Sequence, residues 1–113
     1  MIYLNILEKI DNGNCAVEEL IELLDEKNPI ILYYAMIAIG KYEIFNEDII
    51  KTLNELSFKR ESKDKLIGYY KIGDLAMVTL KKIGFNLEVI PTYQKLDDFE
   101  QGMILKLYSE IDW

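Results

Sequence analysis

At 113 residues, half of them hydrophobic and 29% charged, the chain has the composition of one small globular domain, able to bury roughly two thirds of its unfolded surface without a metal or disulfide staple. Its single cysteine, Cys15, excludes an internal disulfide, and the absence of histidine removes His-based acid–base catalysis and nearly every zinc site. The net charge of -7 falls on residues 1–55, where eleven acids face four lysines, against nine of each sign in the remainder; such a surface repels phosphate backbones and draws cationic partners.

Apolar residues recur at helical spacing nearly throughout. Ile2, Ile6, Leu7 and Ile10 predict a first helix, ended by the turn chemistry of residues 11–14. Val17, Leu20, Ile21 and Leu24 form the stripe of an amphipathic helix over 17–27, with Asn14 as its cap and Glu18 and Glu19 in its first turn. Asn28-Pro29 is a stop and a start together, because Pro suits the first helical position and the Asn28 side chain can accept a backbone N–H there. The following stretch has no charge from Asn28 through Gly40, too short for a membrane span, which needs about 18 to 20 residues, and too long for an ordinary strand of about five or six. It predicts a helix enclosed by neighbours, with Ala35, Ala38 and Gly40 allowing close approach.

Asn46 caps the next expected helix, 47–58, with Glu47 and Asp48 at its positive end and Ile49, Ile50, Leu53 and Leu56 as its stripe. Residues 58–65 are charged without an apolar repeat and read as a solvated loop. Helical spacing resumes over 66–83, with a break or kink expected around Gly73-Asp74 and a stop at Gly84. Residues 85–97 admit an extended path, although Pro91 argues against a central strand or a long helix. Asp97 and Glu100 have the spacing of a capping box that opens a last helix through Met103, Ile104, Leu107 and Tyr108.

Residues 33–42 overlay residues 74–83 at an offset of 41: Ala35 meets Ala76, Met36 meets Met77, Lys41 meets Lys82, and Ile37, Ile39 and Tyr42 fall on Val78, Leu80 and Ile83. That offset lies in the range of two-helix repeats. With Leu20, Ile21, Leu23 and Leu24, then Asn28-Pro29, then Ala35, Ala38, Ile39 and Gly40, residues 16–84 resemble the HEAT-like repeat family; Thr79 and Lys81 depart from it, as does Leu32 where the family commonly has Arg. The resemblance implies an all-α fold, a short right-handed α-solenoid of five to six helices forming a single domain, with 1–14 and 85–113 as capping segments.

No phosphate-cradling glycine motif is present, and Cys15 has no partner base, so the expectation is a protein that is not an enzyme and has no cofactor or metal. Residues 58–71, with five basic and two acidic side chains beside Tyr69 and Tyr70, admit a single-strand nucleic-acid reading that the overall charge disfavours. The acidic run is the feature that folding leaves unexplained. Glu18 with Glu22, and Glu22 with Glu26, are like charges four apart, each costing roughly 0.2 to 0.5 kcal/mol on a helix, and Asp25 and Glu26 sit at the unfavourable end of its dipole. In a HEAT-like stack this helix and the one from Glu47 would line the concave face, so Glu18, Glu19, Glu22, Asp25, Glu26, Asp48 and Glu55 are the expected partner-binding residues, an ordinary solvated face being the alternative. The expected function is binding of a basic protein, foremost as an immunity protein that neutralises a cationic toxin domain such as a nuclease. The alternative is a scaffolding module in a larger assembly. Neither a membrane nor nucleic acid is an expected partner, and the expected compartment is cytoplasmic, because nothing at the start has a secretory pattern.

Overall fold

The computed structural model describes residues 16–68 and 70–113. In chain order these form helices α1 (Val17–Leu23), α2 (Pro29–Lys41) and α3 (Glu47–Leu56), a 3-10 turn (Ser62–Asp64), strands β1 (Lys65–Ile67) and β2 (Tyr70–Lys71), helix α4 (Ile72–Lys82), a second 3-10 turn (Leu87–Val89), and helices α5 (Pro91–Gln94) and α6 (Asp98–Glu110). The expected first helix, the Asn14 cap and Cys15 lie outside the described residues.

Local chemistry places several helix ends. Asn28 Oδ1 accepts the Ile30 N–H at 2.9 Å with Pro29 at the first position of α2, and Asn46 Oδ1 accepts the N–H groups of Asp48 and Ile49 at 2.9 and 3.2 Å. Asp97 Oδ1 accepts the Glu100 N–H at 2.8 Å, starting α6 as its capping box predicts. Gly84, with φ of 115°, follows α4 in the left-handed region that favours glycine.

The charge-free stretch is a helix packed on several sides: Ile31, Leu32, Ala35, Met36, Ala38, Ile39 and Gly40 are buried, while Ile30 reaches solvent. Helix α4 is the most enclosed element, with every residue from Ile72 to Leu80 buried. It packs against α2, α3 and α6, whereas α1 packs against α2 and α3. Helix α4 thus sits among α2, α3 and α6, and the buried residues of the helices form one core. Of the positions matched by the internal repeat, Ala35 and Ala76, Met36 and Met77, and Ile39 and Leu80 are all 0% exposed, whereas Tyr42 is 44% exposed against 7% for Ile83, and Ile37 is only partly buried against a fully buried Val78.

The fold is mostly helical, with six helices among the described residues, and three expectations need correction. Residues 66–68, 70 and 71 are not helical. Strands β1 and β2 pair antiparallel through a turn at Gly68, whose φ of 53° suits glycine and ends any helix there. The apolar residues Leu66 and Tyr70 fit either period, and Gly68 decides between them. The 58–65 segment is not simply solvated, for it contains the buried Asp64 and the partly buried Arg60 as well as exposed lysines. Helix α1 ends at Leu23 rather than continuing to 27, and α3 ends at Leu56. Pro91 opens the four-residue α5, resolving the 85–97 segment as a 3-10 turn and a short helix.

Candidate functional site

The acidic residues divide into two groups. Glu18 and Glu22 are exposed on α1, Glu19 is partly buried with Oε1 3.5 Å from the Ala16 N–H, and Asp48 lies in the first turn of α3. Asp25 and Glu26 follow the Leu24 C-cap of α1 and belong to the turn, which places them off the helical face on which the sequence put them. The Glu22–Glu26 pair is therefore not a helical i,i+4 pair, and the repulsion assigned to it does not arise in that form.

Where α1 and α3 end side by side, an open groove of about 240 Å³ gathers Asp25, Glu26 and Glu55, with Leu24 and Leu56 also among its lining residues. Lys27 and Lys59 share the lining, so the groove mixes both signs and carries one excess negative charge. Glu18, Glu19, Glu22 and Asp48 do not line it. Among the described residues no cation lies within 4.0 Å of the carboxylates of Glu18, Glu22, Asp25, Glu26, Asp48 or Glu55.

A second site, which the sequence reading missed, lies on the other side of the Lys59–Arg60 turn. Arg60 Nε donates to Asp74 Oδ1 at 2.7 Å, and its Nη1 donates to Glu100 Oε2 at 3.1 Å. The Asp74 side chain is 5% exposed, and its second oxygen accepts the Lys71 N–H at 3.0 Å, so both of its oxygens have donors. Burial opposes the Arg60 charge, yet hydrogen bonds and attraction from Asp74 and Glu100 outweigh it and hold the guanidinium pKa above its ordinary value. A signal was available in the sequence: Arg60 is the only arginine among 13 basic residues, and a planar fork suits bridging of two carboxylates better than an ammonium does. Gly73, beside Asp74, is the second signal, because its N–H donates to the Lys59 carbonyl at 2.8 Å and leaves no room for a side chain.

This ion network forms one wall of a half-open cavity of about 350 Å³, with Tyr70, Phe99, Met103 and Ile104 as its apolar walls. Burial raises the Tyr70 hydroxyl pKa above its ordinary value, with smaller contributions from the charges of Glu110 and Asp74. With Arg60 committed to two carboxylates, the basic 58–71 segment presents less free positive charge than its sequence suggests.

Among the described residues no group of three or more Asp, Glu, Cys or His side chains is arranged to hold a metal ion, and no helix is long and apolar enough to cross a membrane. No protein-family model matches the chain, and no curated protein or solved structure matches it.

Proposed function

We propose that the chain is a protein-binding module of HEAT-like helical hairpins whose acidic side engages a basic protein, acting as an immunity protein toward a cationic toxin domain, with a nuclease the foremost case. The observation that carries this reading is the set of exposed carboxylates of Glu18, Glu22, Asp25, Glu26, Asp48 and Glu55, none of which has a lysine or arginine within 4.0 Å among the described residues. Unpaired negative charge costs stability through self-repulsion and speeds encounter with a positive partner. Packing of α1 on α2, of α3 on α4 and of α2 on α4 supports the repeat architecture, as does the equal burial of Ala35 and Ala76, Met36 and Met77, and Ile39 and Leu80.

The test is binding to purified cationic toxin domains encoded beside this chain, measured from low to high salt. Affinity should fall steeply as salt rises. Reversing Asp25, Glu26 and Glu55 to lysine together should slow association at least tenfold, which corresponds to about 1.4 kcal/mol. Binding indifferent to salt and to these reversals would favour the second reading, a scaffolding module docked through apolar contacts. Exposed Phe45 and Phe99, 66% and 75% accessible, are the observation that favours that reading.

A further inference from the structure

The cavity beside Arg60 is not used by the acidic face, and its walls have the composition of a binding anchor. Tyr70, Phe99 and Met103 border it together with Arg60, residue types enriched where proteins meet, and Phe99 is 75% exposed beside it. A volume of about 350 Å³ suits one large side chain.

Charge narrows the choice of occupant. Arg60 and Lys71 line the cavity with Asp74 and Glu100, which balance them, while Asp97 and Asp98 are exposed at the start of the helix that carries Phe99. Asp97 and Asp98 do not line the cavity, but neither has a cation within 4.0 Å among the described residues, and Asp98 directly precedes Phe99 at its edge. Lys59 lines the acidic groove and its neighbour Arg60 lines this cavity, so a single turn separates the two.

We propose that the cavity receives one large apolar side chain, flanked by lysine or arginine, from the same basic partner that the acidic side engages. The inference rests on the protein-binding reading and adds an anchor to it. Negative charge attracts the partner, and the buried side chain slows its release.

The test uses the full chain, isotope-labelled, titrated with three capped pentapeptides followed by amide shifts: Gly-Lys-Phe-Lys-Gly, Gly-Lys-Ala-Lys-Gly and Gly-Glu-Phe-Glu-Gly. The first should shift the amides of Lys71, Asp74, Gly102 and Met103 with an affinity at least about fivefold above either control. Phe99→Ser and Asp98→Lys, both at exposed positions, should each weaken that response about threefold or more, the first without lowering thermal stability and the second with only the small thermal loss of a cation at the positive end of α6. Equal responses to the Phe and Ala peptides, or no change in either variant, would overturn the anchor. Lysine peptides that shift Glu26 and Glu55 but not Met103 would remove the anchor and leave the acidic-face reading standing. Silence at both places would remove both.

Discussion

Arg60 and Asp74 meet at 2.7 Å, and the same guanidinium reaches Glu100 at 3.1 Å, so one side chain ties the turn after α3 to the starts of α4 and α6. The two bonds differ in worth because their surroundings differ: the Asp74 side chain is 5% exposed and that of Glu100 is 40% exposed. Asp74→Ala strands a partly buried guanidinium and orphans the Lys71 N–H, and should cost about 2 to 4 kcal/mol in urea unfolding. Glu100→Gln keeps a hydrogen-bonding side chain and should cost less than about 1 kcal/mol. Equal losses for the two variants would contradict this ranking.

Two glycines in helices should respond to alanine in opposite directions. A Cβ on Gly73 would overlap the Ser57 carbonyl and come within 2.7 Å of Arg60 Cγ, and the first of these is backbone that cannot swing aside. Gly73→Ala should therefore destabilise by about 1 to 3 kcal/mol despite the helix preference of alanine. Gly102 in α6 has nothing within 4 Å of its would-be Cβ, so Gly102→Ala should stabilise by about 0.4 to 1 kcal/mol. Thermal unfolding of the matched pair checks both signs.

Stability should fall on the alkaline side through Tyr70. Its pKa is raised above 10.0 by burial, then by Glu110 and Asp74, so the unfolded chain releases this proton at lower pH than the folded one. Below about pH 10 the contribution is fully present, and it is lost as pH climbs from there through the folded pKa. Tyr70→Phe should flatten part of the decline in unfolding free energy above about pH 10. A variant whose alkaline decline matches the parent would exclude Tyr70 as its source.

What could be read from the sequence was the chemistry that acts within a few residues. Asn28-Pro29, Asn46 and the Asp97–Glu100 box set helix starts by bonding to N–H groups two or three positions away, so their spacing alone is informative. The buried nature of α2 was equally visible, because an apolar run of that length has few other ways to fold. Residues 66–71 were misread because Leu66, Ile67 and Tyr70 satisfy a helical repeat, and only the positive φ of Gly68 separates that from a hairpin. The acidic set was legible as composition but not as geometry. Asp25, Glu26 and Glu55 come together only because α1 stops at Leu23 and its end lies beside that of α3. The Arg60 network joins residues 14 and 40 positions apart, a separation that no local pattern encodes.

Trp113 closes over α2 at Gly40, where its ring occupies the space a Cβ would need. The obstacle here is a side chain rather than backbone, so Gly40→Ala should displace the ring at a cost of about 1 to 2 kcal/mol, less than a clash with fixed backbone demands. In a Trp113→Ala background the same substitution should be neutral or stabilising, because alanine is the better helix former by about 1 kcal/mol and nothing then opposes it. Trp113 is the only tryptophan, so its emission should move to longer wavelength in Gly40→Ala as the ring gains water. Its Nε1 is buried without an acceptor among the described residues, so Trp113→Phe removes an unsatisfied donor along with some packing and should cost less than Trp113→Ala by at least about 1 kcal/mol. Additive losses in the Gly40→Ala and Trp113→Ala cycle, or unchanged emission, would show that the ring does not rest on this helix.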